Sequence, residues 1–221
     1  MRTLRVATFN VRHCRGLDDR VDVARIADVI MRTGADLVAL QELDRSNERS
    51  GRVDQPSELA RLTGLKISFF PTVERGESQY GIGLATTEPL DATFFPLPRR
   101  DVEEPRGLIG ARWRGLSVIA THISNIPDAR PAQVEALVAA AERTGGEPTL
   151  ILGDLNGTGR TLGPLHEAGF TGGPGSPATL AGRFRRKQID HVLIRGGTIG
   201  GCWTIRSRAS DHLPLVALVD L

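Results

Sequence analysis

Apolar residues fall along the chain in two alternating kinds of run. Continuous runs at residues 4–9 and 37–40 have the length of buried strands, whereas Val23, Ile26, Ala27, Ile30 and Met31 between them recur at helical spacing, with Gly34 placed to end the helix. The same pattern predicts strands at 67–70, 82–86, 93–97, 108–113, 116–121, 149–152, 189–194 and 215–219. A second helix is predicted over 131–143, with a proline in its first turn and Val134, Leu137, Val138 and Ala141 on one face. Shorter helices are predicted at 56–63 and at 161–168, the latter closed by Gly169. The Gly/Pro-rich stretch 169–182 reads as a surface loop, too short to link domains.

Two strand–helix–strand units echo one another. One runs from Val6-Ala7-Thr8-Phe9-Asn10 to Val38-Ala39-Leu40-Gln41-Glu42, the other from Val118-Ile119-Ala120-Thr121-His122 to Leu150-Ile151-Leu152-Gly153-Asp154. Asn10 to Glu42 and His122 to Asp154 are both separated by 32 positions, so each unit ends both strands in a ligand-capable side chain. Facing each other, the units would gather four polar strand ends at one place. Any α/β unit has a similar length, so the echo suggests this arrangement without requiring it.

Composition narrows the class. A chain of 221 residues with 40% hydrophobic and 24% charged residues can bury a sizeable core as one domain, 1–221, without disulfides. No apolar run approaches the ~18 residues of a membrane span, and the start shows no apolar signal segment, so a soluble, cytoplasmic protein is expected. A net charge of +2 is no nucleic-acid footprint. Lys66 and Lys187 are the only lysines, and this arginine bias fits genome composition as well as any preference for phosphate. Cys14 and Cys202 are too few for a disulfide framework or thiolate zinc site.

Six segments share one format, an apolar strand stopping abruptly at Asn, Asp, Glu or His. They are Thr8-Phe9-Asn10-Val11-Arg12, Leu40-Gln41-Glu42, Thr121-His122-Ile123-Ser124-Asn125, Gly153-Asp154-Leu155-Asn156, Ile189-Asp190-His191 and Ser210-Asp211-His212. Strand ends are where α/β scaffolds place reacting groups. Hard oxygen donors with imidazoles suit Mg²⁺, Mn²⁺ or Ca²⁺ better than a structural zinc, and point to metal-assisted hydrolysis of an oxyanion-rich substrate.

Taken in order, these segments resemble the endonuclease/exonuclease/phosphatase superfamily, over Val6 to Leu215. The resemblance implies a four-layer α/β/β/α sandwich: two mostly antiparallel sheets face to face, helices outside, and the site at one rim. It implies a phosphoester hydrolase, most plausibly a phosphodiesterase, using Mg²⁺ or Mn²⁺ to assist attack of water on phosphorus. By the family's pattern Glu42 is the principal metal ligand, Asn10 helps hold the metal region, and Asp211 is a second metal- or phosphate-side carboxylate. Asp154 orients or activates the attacking water, and Asn156 holds a phosphate oxygen. His212 is the acid/base imidazole with Asp190 fixing its tautomer, and His122 protonates the leaving oxygen or binds phosphate.

Three further residues are assigned to substrate phosphate. Arg12 stands where abasic-site repair enzymes carry an acidic residue, and follows the pancreatic-deoxyribonuclease-like pattern instead. Arg106 matches the loop that brings an arginine to the scissile phosphate, although the tyrosine and asparagine expected within 99–105 are missing. Tyr80 lies in the family's Tyr-Gly segment, with substrate stacking and plain packing both open. The substrate is expected to be a nucleic acid, a phospholipid or a small phosphodiester, and the protein a monomer without a membrane span. A nonspecific nuclease tracking a backbone with Arg12, Arg106, Arg183, Arg185, Arg186 and Lys187 is the alternative; an inactive phosphate-binding module ranks lower, because Glu42, Asp154 and His212 are all present.

Overall fold

The computed structural model describes residues 2–100, 103–144, 148–175, 177–181 and 187–221. The strands, in chain order, are β1 (Thr3–Asn10), β2 (Leu37–Arg45), β3 (Lys66–Arg75), β4 (Ser78–Thr86), β5 (Ala92–Pro96), β6 (Gly107–Trp113), β7 (Leu116–His122), β8 (Thr149–Asp154), β9 (Thr171–Gly172), β10 (Asp190–Arg195), β11 (Thr198–Thr204) and β12 (Leu215–Asp220). The helices are α1 (Val23–Thr33), α2 (Gln55–Thr63), α3 (Arg130–Glu142) and α4 (Gly163–Glu167). Each predicted strand is present. Two were not foreseen: β9 is only a short pairing, and β11 carries Gly200-Gly201 in its interior and a register shift there, which dilute any strand pattern.

One sheet has the order β11-β12-β1-β2-β4-β3 and the other β5-β6-β7-β8-β10-β9. In each, the third and fourth strands are parallel and joined through a helix, β1 with β2 through α1 and β7 with β8 through α3, while every other neighbour is antiparallel. The sequence echo is therefore a repeat of architecture, extending from the two units to whole sheets.

Three apolar layers hold the sheets and helices together. Leu4, Val6, Ala39, Leu84, Val118, Ala120, Leu152, Val192 and Ala217 pack between the sheets. Phe9, Ile26, Ile30, Leu40, Leu59 and Val216 bind α1 and α2 to the outer face of the first sheet. Ile119, Val134, Leu137, Ile151, Leu165 and Leu193 do the same for α3 and α4 on the second. The result is the expected four-layer α/β/β/α sandwich. Helix α1 starts on an Asp22 side-chain cap and ends at Gly34, whose left-handed φ of 58° lets its N–H reach Met31 O. Met31 itself is turned to solvent at 55% exposure; the buried stripe runs through Ile26, Ala27, Val29, Ile30 and Thr33. No helix among the described residues is long and apolar enough to cross a membrane.

Strand parity carries the fold to the site. In β1, Leu4 and Val6 face the inter-sheet layer, so Asn10 falls on that same side; Ala7 and Phe9 face the helices. The same alternation turns His122, Asp154 and Asp190 inward at the ends of β7, β8 and the start of β10, and sends His191 outward. In β2 strict alternation would fail. A bulge between Leu40 and Leu43 sets Gln41 and Glu42 against the single residue Ile82 of β4, and Glu42 takes φ 60°. Beyond the bulge Leu43 faces the helices, and Glu42 is released toward the rim.

Candidate active site

The inward strand ends of both sheets meet at one rim. Asn10 joins them: its Nδ2 donates to Glu42 Oε1 at 3.0 Å within its own sheet and to Asp154 Oδ2 at 3.0 Å across the seam. Asn10 Oδ1 accepts the Arg12 backbone N–H at 3.0 Å, steering the chain into a turn where Arg12, His13 and Cys14 all have left-handed φ of 48°, 42° and 61°. Such conformations cost about 1–2 kcal/mol per residue, and with Glu42 and Asn156 (φ 44°) they concentrate around this one place.

Asp154, fully buried, is the hub. Its Oδ1 accepts the Asn156 backbone N–H at 2.9 Å, and its Oδ2 faces His122 Nε2 at 3.5 Å and His212 Nε2 at 3.9 Å. Burial, reinforced by the neighbouring Asp190 charge, pushes the Asp154 carboxyl up to about 7. The preceding Gly153 is obligatory: a Cβ there would stand 2.0 Å from Thr121 O on the adjacent strand, and its φ is 155°.

His212 and Asp190 form the second half of the centre. Nδ1 of His212 donates to Asp190 Oδ2 at 2.8 Å, leaving Nε2 turned toward Asp154. Burial alone would lower this imidazole; the Asp190 charge and hydrogen bond override it, helped by Asp154 and Asp211, and hold it up to about 10. Ser210 anchors the loop: its Oγ donates to Asn10 O at 2.8 Å and accepts the His212 N–H at 3.1 Å.

His122 has a different character. Arg106 Nη1 lies 2.9 Å from His122 Nδ1, and a guanidinium only donates, so Nδ1 accepts and the ring proton belongs on Nε2, toward Asp154. Burial, with the charges of Arg106 and His212, holds its pKa well below 6.5. His122 is thus neutral where His212 is charged. Asn156 Nδ2 stands 3.3 Å from His122 Nε2 and donates to Ile123 O at 3.1 Å.

The remaining predicted residues border this centre. Asp211 lies beside Arg12, whose Nε is 3.7 Å from its Oδ2, and its charge helps raise Glu42, although partial removal from water is the main cause. Tyr80 is packed: it is 8% exposed, its hydroxyl accepts from Arg106 Nη1 at 3.4 Å, and the Arg49 guanidinium covers one ring face at 5.0 Å. Arg183, Arg185 and Arg186 lie outside the described residues, while Lys187 is exposed. His13, His166 and His191 stay apart from the chemistry; His191 Nε2 donates to Gly157 O at 2.8 Å on the outer side.

Two structural residues escaped the sequence reading. Thr179 lies within the stretch 169–182 read as a surface loop, yet is fully buried. Its Oγ1 accepts the N–H groups of both Ile189 and Asp190 at 3.1 Å, and its carbonyl accepts the Leu213 N–H at 2.6 Å, so it ties the Asp190 strand to the His212 loop. Asp44, also fully buried, grips Arg49 through Nε at 2.9 Å and Nη2 at 2.7 Å. The Asp-x-x-x-x-Arg spacing was visible, but not its burial.

A site at the junction of two sheets, rich in buried carboxylates, imidazoles and arginines, defines the class of hydrolases acting on oxyanionic esters. Residues 7–212 match the model of the endonuclease/exonuclease/phosphatase family. The chain belongs to that family and is a hydrolase of phosphoester bonds. No curated protein matches it. Among solved structures it is similar to an endonuclease/exonuclease/phosphatase protein of Beutenbergia cavernae (TM-score 0.83, 21% identity, covering 100% of this chain and 72% of the other). It is also similar to a functionally unknown conserved protein of Enterococcus faecalis (0.82, 18%, 98% and 99%). A third likeness is to D. rerio TDP2 in complex with single-strand DNA product (0.77, 15%, 100% and 100%).

Proposed function

We propose that this chain hydrolyses phosphodiesters with the help of Mg²⁺ or Mn²⁺. The observation that carries the reading is the gathering of carboxylates at the seam: burial raises both Glu42 and Asp154, with Asp211 adding to the first and Asp190 to the second. A hard cation is the chemical complement of that set. Asp154, Asp190 and His212 also have ligand atoms within 4.8 Å of one another, but Asp190 and His212 already hydrogen-bond to each other at 2.8 Å, so that trio reads better as a proton-handling unit. Glu42, Asn10 and Asp211 would hold the cation. When bound, it would polarise a phosphoryl oxygen and offset the charge of the substrate.

The chain's own groups supply the rest. Asp154, with its raised pKa, is suited to take a proton from the attacking water. The charged His212, fixed by Asp190, presents Nε2–H to an oxygen that gains negative charge as phosphorus becomes five-coordinate. His122 and the Asn156 amide add neutral donors on the other side, and Arg12 and Arg106 supply positive charge at the border. The DNA product bound to the structurally similar TDP2 supports nucleic acid as one substrate class; phospholipids and small phosphodiesters fit the same donors.

The test is turnover of bis(p-nitrophenyl) phosphate with Mg²⁺ or Mn²⁺, abolished by a chelator and restored by the cation. Glu42→Gln, nearly isosteric, should keep the fold and lose most of the turnover together with the cation's effect on melting temperature. Unchanged turnover and cation dependence in Glu42→Gln would remove Glu42 from the metal site.

A further inference from the structure

We infer that a cavity of about 530 Å³ beside this centre is a subsite for a second phosphate on the same substrate, with Arg49 as its anchoring cation. The inference rests on the phosphoester-hydrolase reading and extends it to a substrate class: phosphoesters bearing another phosphate next to the one that is cleaved. The volume falls in the ~300–1,000 Å³ range of small-ligand pockets.

Three observations lead there. The cavity borders the chemistry, because Tyr80 in its wall contacts Arg106 at 3.4 Å, and Arg106 contacts His122 at 2.9 Å. Arg49, Arg75 and Arg99 line it together with Asn47 and Ser78. Of the two acidic residues among its described lining, Glu104 is paired with Arg106 at 3.0 Å and Glu103 accepts the Arg100 N–H at 3.2 Å, whereas Arg75 and Arg99 form no ion pair among the described residues. Last, Arg49 is preorganised. Its Nε and Nη2 are locked on the buried Asp44 and its plane lies over Tyr80, while Nη1 has no hydrogen bond among the described residues and Arg49 lines the cavity. A guanidinium fixed on one edge recognises an oxyanion at little cost in side-chain entropy. Because Arg49 covers that face of Tyr80, the face is closed to a stacking base, and the subsite favours phosphate over nucleobase.

Calorimetry on the full chain tests this with thymidine 5′-monophosphate, thymidine 3′,5′-bisphosphate and inositol 1,4-bisphosphate. The wild type should bind a bisphosphate about 10-fold tighter than the monophosphate, the increment expected of one further charge-assisted contact. Arg49→Lys should bring the ratio toward one, and so should the double variant Arg75→Gln/Arg99→Gln. The double variant alters exposed residues only and carries the test if Arg49→Lys does not fold. Preference for both bisphosphates would assign the subsite to phosphate on any scaffold, and preference for the thymidine compound alone to a nucleic-acid backbone. Equal affinity for mono- and bisphosphate in the wild type, or an unchanged ratio in the variants, overturns the inference. Hydrolysis of bis(p-nitrophenyl) phosphate stands apart from it: without cation-dependent turnover the hydrolytic reading fails, while the affinity ratio still decides the subsite.

Discussion

The imidazoles of His122 and His212 both face Asp154 Oδ2, yet their surroundings give them opposite charge states. Burial, with a guanidinium at Nδ1, keeps His122 neutral, and a carboxylate at Nδ1 keeps His212 protonated. His212→Ala should therefore lower turnover about 10²-fold or more, the range supplied by a positioned acid–base group. Asp190→Asn should cause much of the same loss. Since both residues act on one proton, the double variant should be scarcely worse than the poorer single one; fully additive losses in kcat/KM would show that they act independently. Most of these residues were legible in the sequence, because each is a polar side chain abruptly ending an apolar run. Arg49 was not, since what fixes it is a buried carboxylate five positions away and a ring on β4.

At the level of elements, the site depends on departures from regular structure. The bulge in β2 turns Glu42 to the rim, and the left-handed turn after Asn10 brings Arg12 beside Asp211. The apolar run located β2 but stopped at Leu40, because the polar Gln41 and Glu42 of the bulge interrupt it. Thr179 was hidden for another reason: among Gly and Pro its hydroxyl looks like an ordinary loop residue, and only tertiary contact shows it accepting two buried N–H groups. Thr179→Val leaves both donors unpaired and should cost about 1–3 kcal/mol per donor, read as a lower urea midpoint. Turnover should fall beyond the loss of folded protein, because Asp190 N–H is one of the two donors; Thr179→Ser should restore both measurements. A valine variant as stable as the wild type would deny Thr179 this role.

For the whole molecule, the raised proton affinities of the site make metal-free stability depend on pH. Between about 4 and 7 the folded chain retains the Asp154 proton that the unfolded chain gives up, so stability falls as pH rises through that window. His212 acts in the same direction at higher pH: its contribution is complete below about 6.5 and is lost as pH rises through about 10. In chelator, the melting temperature should decline from pH 6.5 to 10, and less steeply in His212→Asn. Added Mg²⁺ should raise it more at pH 8 than at pH 6, because the cation needs ionised carboxylates. Equal shifts at both pH values would argue against carboxylate ligation.

The two sheets share one strand order, and the bond from Asn10 to Asp154 crosses from one to the other. Neither sheet holds the whole candidate site; its alignment is set by how the apolar faces of the sheets settle on each other. Side chains such as Ala120 or Leu84 therefore act as spacers that gauge the distance between catalytic groups. Enlarging one by a methylene or two would shim the halves apart, and a displacement of 1 Å in a reacting geometry is enough to cost about 10²-fold in rate. Catalytic precision in this chain is a property of its oily middle layer as much as of its polar rim.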